Sequence, residues 1–107
     1  MPDGRGITFP RGFVAGAVAA GVKDGTPDRL DVAVLASPVP CAAAAVFTSN
    51  QVIAAPCVVT RRHLGAGRLR GVVVNSGNAN ACTGEQGERD AVAMAAAAAS
   101  LVGANPK

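Results

Sequence analysis

Aromatic side chains are almost missing from this chain. It has no Trp and no Tyr, and its three Phe stand at Phe9, Phe13 and Phe47. The stacking platforms that single-stranded nucleic acid needs are therefore absent. Positive charge is not massed either. The formal net charge is +3, and the one basic cluster is Arg61-Arg62-His63 with Arg68 and Arg70. A nucleic-acid interface wants a denser stripe, so the cluster reads as a solvated turn beside a strand and no nucleic-acid partner is expected. A core without aromatics must come from Val, Ala, Leu and Ile. Such side chains bury little area each, at about 25 cal/mol per Å². With 107 residues the chain makes at most one domain with a modest core.

The usual carriers of chemistry are also scarce. There is one His, His63, and the three cysteines, Cys41, Cys57 and Cys82, are widely spaced with no C-x-x-C pair. That pattern supports no metal site. All three cysteines read as buried small hydrophobes, and the usage fits a reducing compartment, the cytoplasm. No G-x-G-x-x-G, G-x-x-x-x-G-K-[ST] or G-x-S-x-G occurs, so no nucleotide cradle, cofactor or nucleophile elbow is expected. Ser76 and Thr83 are hydroxyls with no base beside them in sequence, and no catalytic residue is assigned. Long hydrophobic runs are lacking too. Phe13–Val22 contains Gly16 and Gly21 but no Leu, which suits a strand better than a signal-peptide h-region. Nothing approaches the roughly 20 apolar residues of a membrane helix.

What is present can be taken in order. Residues 1–11 read as an extended lead-in, and Phe13–Lys23 as a first strand. Asp24–Asp28 is a turn cluster, and Leu30–Ala36 a second strand. The second strand is expected to stop at Ser37-Pro38-Val39-Pro40, because proline cannot join a central ladder. Ala42–Thr48 and Cys57–Thr60 read as further strands, Arg61–Gly65 as a helical turn, and Arg70–Asn75 as a strand. Glu85–Val102 is the one long helix, with Val92, Ala95, Ala96, Ala99 and Val102 as its apolar stripe and Gly103 at the C′ position. Strands in series before one late helix predict an α+β layer rather than regular βαβ repeats.

The organising stretch is Gly71–Gly84. Val72-Val73-Val74 is a buried strand by composition. Asn75-Ser76-Gly77-Asn78-Ala79-Asn80 then supplies residues that tolerate left-handed backbone and bond their own main chain. Thr83, three residues before Gln86, has the spacing of a capping box. Strand, polar loop and helix start thus gather N–H groups and side-chain amides at one point, where an anionic or carbonyl group could be held. Asn75, Asn78 and Asn80 serve either to build the turn or to line a site, and Thr83 either caps the helix or joins them.

These residues resemble a known family. Val73–Gly84 (Val-Val-Asn-Ser-Gly-Asn-Ala-Asn-Ala-Cys-Thr-Gly) is similar to the signature loop of the ornithine acetyltransferases, also called glutamate N-acetyltransferases. Gly12-Phe13 with Ala19–Lys23, Leu30–Leu35, Ala45–Val52 and Ala54–Val58 resemble neighbouring segments of that family in the same order, so the likeness spans residues 12–102.

The resemblance implies a layered sheet-and-helix sandwich of the ornithine acetyltransferase type, present here in its N-terminal part: a lead-in at 1–11, then an incomplete α-chain domain at 12–107. It implies an enzyme that moves acetyl from N-acetylornithine, or in some members acetyl-CoA, to glutamate for arginine synthesis. In such enzymes a precursor cleaves itself before a Thr, which then carries the acetyl group, and a Ser-Thr-Gly-Val-Ile-Gly type motif forms the oxyanion hole. That motif, the Lys-Gly-Ala-Gly-Met type cleavage site and the nucleophile are all expected beyond Lys107. Thr8, Thr26, Thr48, Thr60 and Thr83 stand in no matching context. No catalytic residue is carried over, and Asn75, Asn78, Asn80 and Thr83 are the near-site candidates. The implied partners are the remainder of the α-chain and the β-chain in a hetero-oligomer. The alternatives are a stand-alone small-ligand binding module and a non-catalytic assembly piece.

Overall fold

The Val-rich runs pair with one another and the Ala-rich run lies across them. The structure is a computed structural model that describes residues 6–23 and 29–103. Its elements are β1 (Val14–Val18), β2 (Val32–Ala42), α1 (Ala55–His63), a short 3-10 turn (Leu64–Ala66), β3 (Arg68–Asn75) and α2 (Gly84–Val102). The sheet is antiparallel in the order β1-β2-β3. Val34 sits opposite Gly16 on one side and Val73 on the other. Side chains alternate across a strand, so Val34, Ala36, Val73 and Asn75 share one face. Ala33, Leu35, Val72 and Val74 share the other. Both helices lie on the first face, and the result is the expected α+β layer, although α1 interrupts the expected series of strands.

Several elements differ from their sequence-based expectation. β1 is only five residues long; beyond it, Asp31 holds the chain. Its carboxylate accepts the N–H of Ala20 at 2.6 Å and of Val22 at 2.8 Å. β2 does not stop at the prolines but runs through them to Ala42. The register breaks between Ala36 and Cys41, so Pro38 and Pro40 occupy a bulge where no ladder bond is asked of them. Ser37 braces the bulge by donating its hydroxyl to the Val39 carbonyl at 2.8 Å. Residues 43–48, expected as a strand, form no ladder.

The expected strand Cys57–Thr60 is helix α1 instead. Pro56 occupies its first turn, where a missing N–H costs nothing, and Arg61, Arg62 and His63 close it at the negative end of the dipole. Ala55 and Val59 bury against Ala91 of α2. Tertiary packing thus overrides the strand preference of Val58 and Val59. The basic cluster is also engaged. Arg61 lies over the Phe47 ring at 4.8 Å, and Arg62 pairs with Glu88 at 3.5 Å. Arg70 donates to the Ser37 carbonyl at 3.3 Å and the Gly103 carbonyl at 3.2 Å. Residues 7–12 turn rather than extend, with Phe9 N–H on the Gly6 carbonyl at 3.0 Å. The expected turn at Asp24–Asp28 lies outside the described residues.

α2 begins at Gly84 and ends with Gly103 in the left-handed region, φ 72°. Its inward stripe runs through Gly87, Ala91 and Ala99, whereas Val92 is exposed. The stripe is therefore rotated from the expected one, with Gly and Ala rather than Val at its buried positions. Among the cysteines, Cys41 and Cys57 are half-buried, while Cys82 is exposed rather than buried.

Asp31 gives a first prediction. The Ala20 N–H, then the Val22 N–H, hold its carboxyl below the ordinary value, against the opposing effect of burial. Its stabilising contribution is thus complete above the unfolded pKa of about 3.9 and vanishes as pH falls through the lowered folded value. The amide resonances of Ala20 and Val22 are expected to titrate together with a midpoint below that unfolded value. Asp31→Asn should abolish the shared titration, and a midpoint at or above it would contradict the clamp.

Candidate functional site

The loop between β3 and α2 sits at the C-terminal end of β3, over a cavity of about 340 Å³. Asn75, Asn78, Asn80 and Thr83 all line this cavity, so the structure brings the four sequence candidates together. Val32, Val73, Val59 and Met94 supply its apolar walls. Three polar residues not singled out as candidates, Thr60, His63 and Asp90, complete the lining.

The amides form a chain of bonds. Asn75 Nδ2 donates to the Asn78 carbonyl at 3.0 Å. Asn80 N–H donates to Asn78 Oδ1 at 2.9 Å. Asn80 Nδ2 reaches the Gly87 carbonyl at 2.9 Å, and Asn80 Oδ1 accepts the Thr83 hydroxyl. The Asn80 carbonyl also accepts the Ala55 N–H at 3.2 Å, serving one of the unpaired donors that open α1. Asn80 therefore joins loop, α1 and α2 through all four of its polar groups. It does so at φ 50°, a backbone state that Asn tolerates better than most residues. Asn80 is a builder of the turn.

Asn75 and Asn78 are different. Among the described residues, Asn75 Oδ1 and Asn78 Nδ2 have no hydrogen-bond partner. One accepts and the other donates, so the cavity mouth offers a complementary polar pair. A backbone carbonyl requires the Asn75 NH₂, and a backbone N–H requires the Asn78 oxygen, so these partners fix both amide orientations.

Thr83 stands at the N-cap position of α2 but makes no capping bond. Its hydroxyl is turned to Asn80 instead. Gln86 does not complete a capping box; its Nε2 donates to Asp90 Oδ1 at 2.8 Å. The expected cap is thus replaced by a side-chain link inside the loop. Thr83→Ala should leave Asn80 Oδ1 unpaired and cost about 1 kcal/mol, with Thr83→Ser close to neutral. Thermal unfolding of the two variants checks this. Equal losses in both would show that the methyl group, not the hydroxyl, matters.

Gly87 belongs to the site as well, although no motif in the sequence names it. A Cβ built there meets Thr83 Oγ1, with Asn80 Oδ1 at 2.6 Å. Gly in the second turn of an Ala-rich helix is the available signal, since it is a poor helix former and marks a close approach. Among the described residues no group of His, Cys, Asp and Glu could hold a metal ion. The amides can bind a polar group, but no general base faces a nucleophile among the hydrogen bonds of the loop.

Fold and site together define an α+β sheet-and-helix unit with an amide-rich loop at a strand's C-terminal end. The ArgJ family profile matches residues 14–107, and the chain belongs to the ArgJ family. It is similar to an "Arginine biosynthesis bifunctional protein ArgJ" of Symbiobacterium thermophilum, 56% identical over 95% of this chain and 25% of that protein. The protein of the same name from Dehalococcoides mccartyi is 48% identical over all of this chain and 26% of its own length. The chain thus spans about a quarter of the length of these relatives. Among solved structures, arginine biosynthesis bifunctional protein ArgJ from Bacillus halodurans shares the fold with a TM-score of 0.82 and 40% identity, over 90% of this chain and 49% of that one. Ornithine acetyltransferase of Mycobacterium tuberculosis, complexed with ornithine, gives 0.78 and 52%, over 85% and 47%.

Proposed function

We propose that this chain forms the N-terminal part of the α-chain of a glutamate N-acetyltransferase. The whole enzyme would move acetyl from N-acetylornithine, or acetyl-CoA, to glutamate in arginine biosynthesis. The observation that carries this reading is the family match over residues 14–107, which includes the amide-rich loop. The chain supplies scaffold and loop, while the nucleophilic Thr and the oxyanion donors come from the remainder of the α-chain and the β-chain. Asn75 and Asn78 then act near the site, one accepting and one donating, and Asn80 and Thr83 hold them there. A cytoplasmic location belongs to the same proposal. Its support is that no described helix is long and apolar enough to cross a membrane and that the three cysteines are unpaired.

The test is turnover. The 107-residue chain mixed with N-acetylornithine and glutamate is expected to give no N-acetylglutamate above background. Residues 1–107 joined to the remaining three quarters of the Symbiobacterium relative should give it. Turnover by the chain alone, or a well-folded but inactive fusion, would overturn the reading. The cavity of about 340 Å³ beneath the amide pair favours a second reading, a small-ligand binding module. Calorimetric binding of glutamate or N-acetylornithine to the 107 residues alone would move that reading to first place.

A further inference from the structure

Asp31 is a buried residue whose main-chain and side-chain polar groups all reach other segments of the chain. Its N–H donates to the Val18 carbonyl at 3.0 Å, and its carbonyl accepts the Ser76 N–H at 2.9 Å. One carboxylate oxygen takes the Ala20 N–H at 2.6 Å and the other takes the Val22 N–H at 2.8 Å. The main-chain bonds extend the sheet one step past Val32, which stands between Val18 and Asn75. Most residues could make them. The side-chain bonds need a carboxylate. Asn has one acceptor oxygen, and its NH₂ would be aimed at the second N–H.

The segment so held lies against the amide loop. Residues 19–23 form no ladder of their own. Val22 lines the same cavity as Asn75 and Asn78. Lys23, the next residue, backs onto Gly77. A Cβ built on Gly77 would stand 2.9 Å from Lys23 Cβ and 3.6 Å from its nitrogen. Only glycine permits that approach, and Gly77 also stands at φ 93°. Gly77 lies between Asn75 and Asn78, so Lys23 supports the turn that aims both amides. Asp31 therefore reaches the loop by two routes. Its carbonyl holds Ser76 directly. Its carboxylate holds Val22, and with it the neighbouring Lys23 behind Gly77.

We propose that Asp31 is a positioning residue for Asn75 and Asn78. Its carboxylate fixes residues 20–23 as a backstop, which keeps the free Asn75 Oδ1 and Asn78 Nδ2 over the cavity. This rests on the reading that the amide pair acts near the site of acetyl transfer, and it adds the residue that sets the pair's geometry. Asp31 itself touches no substrate. Its leverage comes from placement, since a misplacement of about 1 Å can cost a reaction roughly 100-fold.

The test uses the fusion of residues 1–107 to the rest of the Symbiobacterium relative. Asp31→Asn should lower kcat/KM about tenfold or more. Asn78→Ser removes the free amide donor but keeps an oxygen for the Asn80 N–H, and should cost a similar factor. The double variant should be little worse than the poorer single one, because both changes act through one contact. Losses that multiply would make Asp31 a residue of the scaffold alone and overturn the proposal, as would an unchanged kcat/KM in folded Asp31→Asn. A second pair of variants tests the same path with Asp31 intact, and so decides the matter even if Asp31→Asn does not fold. Gly77→Ala should lower kcat/KM, and adding Lys23→Gly should restore part of it by clearing the Lys23 Cβ. No recovery would overturn the proposed contact.

Amide hydrogen exchange in the same fusion gives a readout that needs no turnover. In Asp31→Asn the Ser76 and Asn80 N–H groups should exchange at least about tenfold faster, while α2 keeps its wild-type rates. Equal acceleration through α2 would mean a general loss of stability and overturn the proposal. An inactive fusion in which the acceleration is confined to the loop would count against the proposed acetyl transfer and leave the placement of the loop by Asp31 standing.

Discussion

Gly87→Ala is expected to destabilise any folded protein carrying this segment by about 2 kcal/mol or more, although Ala is the better helix former by about 1 kcal/mol. The added methyl group has nowhere to go. It lands on the Thr83 side chain, with Thr83 Cβ and Asn80 Oδ1 both at 2.6 Å. Neither neighbour is a flexible tip that can swing away. Thr83 is branched at Cβ, and Asn80 is fixed by its bonds to Gly87, Thr83 and Ala55. Relief requires α2 to move off the loop, which breaks the Asn80 Nδ2 bond to the Gly87 carbonyl and loosens the seat of α1 on α2. The loss should shrink in the double variant Gly87→Ala with Thr83→Ala, because the second change removes part of the obstacle. Chemical denaturation of the single and double variants checks both points. A neutral or stabilised Gly87→Ala would show that the loop and helix are not in contact as described.

That residue also illustrates what the sequence could and could not reveal. The β3–loop–α2 unit was legible because three signals agree there: a β-branched run, a cluster of Asn and Gly, and an Ala-rich helix ending at Gly103. The four candidate side chains converge for the same reason, since all lie within one short loop. Their division of labour was not legible. Whether an Asn amide is consumed in building the turn, as Asn80 is, or left with an unused group, as Asn75 and Asn78 are, depends on partners seven residues or more away, such as the Gly87 carbonyl and Ala55 N–H. Cys57-Val58-Val59-Thr60 reads as a strand because its side chains are β-type, whereas Pro56 in the first turn and the packing of Ala55 and Val59 on Ala91 favour the helix. The prolines of β2 read as a stop because a bulge is defined only by its partner strand. Cys82 departs from the burial usual for a thiol, because here the loop holds it at φ 58° and leaves it exposed.

The 107-residue chain by itself is expected to be weakly folded or to self-associate. Its buried hydrophobic residues among those described are Ala36, Ala55, Val59, Ala91 and Ala99, and no large side chain is fully buried. Four of those five are Ala, which contributes little area to the hydrophobic term. Meanwhile the sheet face away from the helices leaves Val72 48% and Val74 55% exposed, and on the helix side Val14 and Val18 of the edge strand are more exposed still. An apolar face beside two strand edges that are unpaired among the described residues is a template for association with other chains. Ordering the backbone costs about 1–2 kcal/mol per residue, and a core of this size offsets little of it. Sedimentation should therefore show oligomers or an expanded monomer, and amide exchange should be fast through β3 and α2. Lysine or glutamate at Val72 and Val74 should reduce the association without restoring protection, because the charges remove the sticky face but add no core. A compact monomer with strong protection through Gly71–Asn75 and Glu85–Leu101 would establish an autonomous domain, and the small-ligand module would then become the better account of the amide-lined cavity.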